Sequence, residues 1–375
     1  MKFAQKLYCP GTRGELVPQR KETALTDSTS RWLLIVLFAV LAVPQALAQG
    51  DPIRIKIVGG LADVRQFTTY EEPFWRERIP AATGGRVVAD IAAFDRSGIR
   101  GQEVLQLMRL GVVPFGTALL SLAATEEPEL NGADLVALSP DIATLQRNVA
   151  AYRPHLRRIL AERYGLELLA IYTYPAQVLY CRNSFRGLVD LAGRRVRSSS
   201  VGMSEALAAL GATPVVTPFA QIMPSMRSGQ VECAVTGTLS GNGIGLHEIS
   251  THVHSLALSW GLSIFAANRS AWLGIPADLR GIIAREIGVL EARIWDAAAE
   301  ETGDGLACNS GAASCQMGRR GRMVVVPVSA EDEALRRRLL RDTVLPGWVR
   351  RCGNDCADAW NQTIGPELGV MASPE

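Results

Sequence analysis

The sequence predicts an α/β protein with a largely parallel sheet. Strand-like and helix-like segments alternate from Ile53 onward. Residues 191–242 compress that alternation into a βαβαβ unit of short apolar strands. After Pro276, an apolar stripe of helical period marks a helix longer than one small domain needs.

Taken in order, residues 53–58 alternate as a first strand that ends on Gly59-Gly60. A helix is expected at 71–79 and a strand at 86–93. Gly101-Gln102-Glu103 opens a helix through Leu110, and 115–123 reads as a buried strand. Apolar residues at helical spacing fill 141–164, and 166–174 returns to strand. In the compact unit, Val196 leads a strand ending at Arg197, 202–210 is a helix, 214–217 a strand, 220–227 a helix, and 231–235 a strand closing on Thr236-Gly237. In such sheets ligands gather at the carboxyl ends of the strands, where Arg197, Pro218-Phe219 and Thr236 all fall. The helix at 277–301 carries Leu279, Ile282, Ile283, Ile287, Leu290 and Ile294 on one stripe and reaches about 37 Å, enough to brace two lobes. A strand at 324–328 and a helix at 331–348 complete the chain ahead of a short cysteine-bearing tail.

Residues 32–47 are almost wholly apolar, follow Arg31 and end in Ala46-Leu47-Ala48. A run of about 16 residues is short of the roughly 20 that span a bilayer. With the small-x-small ending it reads as a signal peptide cleaved between Ala48 and Gln49, which places the mature protein in the periplasm. Residues 1–30 are polar and long for a presequence, which leaves open a start codon further in. No Cys follows the cleavage site, so a free protein is expected rather than a lipid-anchored one.

Removing residues 1–48 takes six basic and three acidic residues, leaving 33 against 34. That balance offers no face for nucleic acid. Of seven cysteines, Cys9 leaves with the presequence. In an oxidising compartment Cys308 with Cys315, and Cys352 with Cys356, are expected as local staples, although spacing alone leaves cross-pairing open. Cys181 and Cys233 lie in apolar stretches and are expected as buried thiols. His252 and His254 alternate beside Glu248 like a metal half-site, but no third ligand stands at fixed spacing, and an exposed strand face accounts for them as well. No phosphate-binding loop, HExxH run or G-x-S-x-G elbow occurs, and Gly241 to Gly245 lacks the spacing of a dinucleotide fingerprint. A binding protein without metal or cofactor is the expectation, not an enzyme.

The segment Asp190-Leu-Ala-Gly-Arg-Arg-Val-Arg197, then Leu210-Gly-Ala-Thr-Pro-Val-Val-Thr-Pro-Phe219, then Ser228-Gly-Gln-Val-Glu232 resembles the extracytoplasmic solute receptors of TRAP transporters. The resemblance implies a two-lobed, periplasmic-binding-protein-like fold closing on ligand in an interlobe cleft, with the long helix spanning both lobes. Lobe I is then 49–175 plus 262–300, and lobe II 176–261 plus 301–375. It implies capture of a small organic carboxylate by a monomer, with delivery to the small and large membrane subunits of a TRAP transporter. The runner-up is a sensor that hands its bound state to a membrane signalling receptor.

Arg197 matches the family's carboxylate-binding arginine, a role that suits a planar fork able to hold both carboxylate oxygens. Phe219 matches the cleft aromatic. Thr236 stands where many relatives have Asn, and Gln177 near a position where many have a second arginine. That replacement points to one firmly held carboxylate and a less charged remainder of the ligand. Trp260, on the segment returning to lobe I, is expected to wall the cleft, with core filling as the alternative. Gly237, Gly241, Gly243 and Gly245 either let backbone N–H groups approach an anion or simply form a turn. Gln102 and Glu103 match a cleft-facing turn, and a helix-opening role explains them equally.

N-terminal sequencing of the exported protein is expected to begin at Gln49, and Ala48→Asp to leave the precursor uncut. A mature chain that begins elsewhere overturns the cleavage assignment.

Overall fold

The computed structural model describes residues 51–373. The apolar run at 32–47 and the expected cleavage site lie outside the described residues. No helix among those described is long and apolar enough to cross a membrane.

Eleven strands are described: β1 Ile53–Gly59, β2 Val87–Ala93, β3 Phe115–Leu119, β4 Leu166–Tyr172, β5 Gln177–Cys181, β6 Arg195–Ser198, β7 Thr213–Val216, β8 Cys233–Gly237, β9 His252–His254, β10 Ser263–Asn268 and β11 Val324–Val326. They form two sheets, ordered β2-β1-β3-β10-β4 and β11-β9-β5-β8-β6-β7. The chain is a two-lobed α/β protein built on these sheets. In the first, β1 runs parallel to β2 and β3, while β10 lies antiparallel between β3 and β4. In the second, β6 is parallel to both β7 and β8, and β5 is antiparallel to β8. The expected βαβαβ unit is therefore present, with Val201–Ala209 and Ile222–Arg227 as its helices.

Alternation along the strands seats the first sheet between two helices. Ile264 and Ala266 of β10 pack in the core that holds Leu145, Val149 and Leu156 of the helix Ile142–Tyr164. Phe265 and Ala267 face the opposite core with Ile283, Ile287 and Leu290 of the long helix. Each of these buried aliphatics contributes about 2 kcal/mol relative to exposure. The helix Ile142–Tyr164 begins where Asp141 accepts from the Thr144 N–H at 2.8 Å and ends at Gly165 in the left-handed region.

The long helix runs from Ala277 to Ser310, 34 residues and so about 50 Å. It passes the expected end at Glu301 because the last turns find a second partner. Gly305 lies against the backbone of Thr238 and Leu239, where a Cβ would come within 2.4 Å. Asn309 Nδ2 donates to the Tyr180 hydroxyl and the Thr238 carbonyl. One half of the helix thus backs the first sheet and the other half the elements around β5 and β8.

Several elements differ from expectation. The strand from Phe115 stops at Leu119, and Leu120–Ala123 turns helical. The last long helix runs through a wide turn at Leu340–Val344 to Cys352, and a further helix, Asn354–Gln362, follows. This C-terminal pair reaches back toward the elements before β4, with the Trp348 indole donating to the Pro128 carbonyl at 2.7 Å. His254 is fully buried, with Nε2 3.3 Å from Asp332 and Nδ1 accepting from the Leu256 N–H, so its nitrogens are already engaged.

The cysteines correct the sequence reading. Cys308–Cys315 and Cys352–Cys356 are bonded as local staples, but Cys181 and Cys233 are not thiols: they too form a disulfide. Antiparallel β5 and β8 place the two directly opposite, with Cα atoms 4.1 Å apart. Strand pairing, invisible in spacing, made that bond available. It closes a loop of 52 residues. Replacing both cysteines with alanine is expected to cost about 3–4 kcal/mol, read from chemical denaturation. A change within about 0.5 kcal/mol would show that the bond contributes nothing to stability.

Candidate functional site

Arg197 lies near the end of β6, paired with Val215 of β7 and Ala234 of β8. Its side chain crosses the carboxyl ends of both neighbours. Nε donates to the Thr217 carbonyl at 2.9 Å and Nη1 to the Val235 carbonyl at 2.7 Å. The residue is only 4% exposed, and burial pulls the guanidinium down to about 10, still charged at neutral pH. Among the described residues no carboxylate pairs with it. A buried cation held by two neutral oxygens leaves most of its desolvation cost unmet, the condition an anionic ligand relieves.

Arg197 opens on a cavity of about 440 Å³. Gln177, Phe219 and Thr236 line the same space, as do Gln102, Leu61 and Leu122 from the side of the first sheet. Phe219 is half-buried and follows Pro218 just past β7. Thr236 is buried in β8, opposite Val178. Gln177, at the start of β5, turns its Nε2 toward the Pro175 and Trp260 carbonyls at 3.4 and 3.5 Å.

The other expected residues stand elsewhere. Trp260 is 2% exposed and outside the lining; its indole donates to the Ser139 carbonyl at 2.9 Å, so the ring fills core. Gly237 is also outside the lining, and the glycine run after it forms the helix Thr238–Gly243. Gly241 is there because a Cβ would meet the Tyr180 ring at 2.8 Å. Gly241 and Gly243 are thus taken up in the helix, while Gly245 takes the left-handed conformation just after it. Glu103 is turned to Arg100, its ion-pair partner.

Two carboxylates of the lining, Asp95 and Asp134, escaped the sequence reading. Asp134 ends the turn Pro128–Asp134, is buried, and accepts the backbone N–H groups of Trp260, Gly261 and Leu262 at 3.0, 2.7 and 3.2 Å. It clasps the segment by which the chain returns to the first sheet, and Gly261 takes the left-handed conformation that the tight turn requires. Its only sequence signal is a polar Asn-Gly-Ala-Asp turn between apolar runs, which names no partner. Burial pushes this carboxyl up to about 6 in spite of the three donors.

The family model of bacterial extracellular solute-binding proteins, family 7, matches residues 67–307, and the chain belongs to that family. Among curated proteins none matches the chain in sequence. An extracytoplasmic solute receptor of Bordetella pertussis that binds pyroglutamic acid is 20% identical, with a TM-score of 0.73 over 82% of this chain and 98% of that one. A TRAP solute-binding protein from a marine metagenome, specific for pyroglutamate, is 17% identical, with a TM-score of 0.72 over 84% and 99%. A TRAP periplasmic solute-binding protein of Rhodoferax ferrireducens, solved with malonate, is 19% identical, with a TM-score of 0.72 over 84% and 99%. At these identities the likeness establishes the shared two-lobed fold.

Because folded Asp134 holds its proton up to about 6 while an unfolded aspartate releases it near 3.8, the folded state binds more protons between those values. Its contribution is therefore largest at low pH and declines as pH rises through the window, by about 2–3 kcal/mol in total. Denaturation at several pH values should show Asp134→Asn losing this slope. Parallel wild-type and variant curves would overturn the assignment.

Proposed function

We propose that this member of the family 7 extracellular solute-binding proteins captures a small organic acid between its lobes, with Arg197 gripping the ligand carboxylate. The observation that carries the reading is the buried guanidinium, fixed by two carbonyls and without a carboxylate partner among the described residues, facing a cavity between the two sheets. With Nε and Nη1 committed to the protein, Nη2 is left to point a charge-assisted bond at an incoming oxygen. Phe219 supplies an apolar wall, and Thr236 and Gln177 supply neutral polar contacts. Family membership and the acids bound by the structural relatives support this assignment.

Lobe I comprises 49–175 with 262–300 and lobe II 176–261 with 301–375, in keeping with the division of strands between the two sheets. Ligand bridges the lobes, so its binding energy favours the closed arrangement over the open one. The closed, loaded monomer is presented in the periplasm to the small and large membrane subunits of a TRAP transporter. The chain binds its ligand without transforming it.

A thermal-shift and calorimetric screen of organic acids on the mature protein tests the anchor. Arg197→Ala is expected to weaken the best acid by about 100-fold, and Arg197→Lys to recover part of the loss, because an ammonium keeps the charge but not the fork. Equal binding by wild type and Arg197→Ala sinks the assignment.

A further inference from the structure

The remaining walls of the cavity narrow the kind of acid that fits. Its charged lining groups besides Arg197 are Arg100, Arg351, Asp95 and Asp134. Arg100 is paired with Glu103 and Arg351 with Glu205, so each charge is balanced by a neighbour, although Arg351 keeps Nε and Nη1 buried without a hydrogen-bond partner. Asp95 accepts from the Ala62 N–H, Asp134 from its three donors, and no cation is paired with either among the described residues. The uncompensated charges facing a ligand are thus one cation and two anions. A second carboxylate would lie against Asp95 and Asp134 with no unbalanced positive charge to receive it, and like charges at close range disfavour that arrangement.

Between these charges the walls are hydrocarbon. Leu61, Ile99 and Leu122 line one side; Val201, Val216 and Phe219 line the side of Arg197. Val216 is 68% exposed and Val201 38%, unusual for large apolar groups beside a buried charge. Apolar surface facing a cleft gains from a partner that removes it from water. A cavity of about 440 Å³ also falls within the roughly 300–1,000 Å³ typical of clefts that enclose drug-sized ligands.

Building on the Arg197 anchor proposed above, we infer that the ligand is a monocarboxylate with a bulky apolar body, aryl or medium-chain alkyl, rather than a short dicarboxylate. Its carboxylate meets Arg197, and its body lies between the valines beside that residue and the leucines opposite. Asp95 and Asp134 reject a second negative charge.

Calorimetry on the purified exported protein tests this with phenylacetate and octanoate against succinate and L-malate. At least one of the first two is expected to bind about tenfold or more tighter than either of the other two. Val216→Ser, a change at an exposed position, should weaken that acid about fivefold. Succinate or malate binding as tightly as both apolar acids overturns the inference, as does indifference of the apolar acids to both Val216→Ser and Phe219→Ala. The Arg197→Ala protein separates the two levels of failure. If succinate binds best and Arg197→Ala abolishes it, the anchor stands and the apolar ligand class falls. If no acid binds, or binding ignores Arg197→Ala, the anchor falls and the inference with it.

Discussion

A guanidinium withdrawn from water, with only two carbonyl oxygens in return, is the constraint around which the second lobe is arranged. The cost of such burial runs to several kcal/mol, and neutral acceptors recover only part of it. Parallel β6, β7 and β8 end together, so the last carbonyls of β7 and β8 converge where the Arg197 side chain emerges. The strands therefore fix the direction of the fork before any ligand arrives. Preorganisation of this kind lowers the ordering cost of binding, the usual difference between a weak surface contact and a useful site.

The cavity needs a second wall, and two devices hold it in register. The long helix backs the first sheet with Ile283 and Ile287, then packs Gly305 on Thr238 and joins Asn309 to Tyr180 near the second sheet. Asp134 works at the opposite scale, gathering three successive N–H groups at the return crossover. One is a stiff brace and the other a point clasp on a glycine turn. Apolar packing also runs between the two sheets, since the core that holds Ile264 and Ala266 of the first sheet continues through Val178, Leu179 and Val235 of the second.

Helices and strands with a periodic pattern were legible in the sequence because their period is imposed by a sheet or core on one face. The first strand, the helix after Asp141 and the βαβαβ unit follow from that rule, and the same pattern singles out Arg197 as a strand-end residue. The glycine run after Thr236 left two readings open for a physical reason. Glycine permits a backbone to approach an anion, but equally permits it to approach a tyrosine ring, and here Tyr180 occupies the space. Trp260 misled, since an indole at a crossover can line a cleft or seek a carbonyl, and Ser139 supplied the carbonyl.

By itself the sequence determined the α/β class, the compact three-strand unit and the arginine at its edge, all properties of local period and residue type. Only the tertiary structure decided that Cys181 faces Cys233, that Asp134 reaches residues more than a hundred positions away, and that Arg197 has no carboxylate partner among the described residues. Those are relations between distant segments. They depend on strand order, register and burial, which the packing of the whole chain settles and no local pattern encodes.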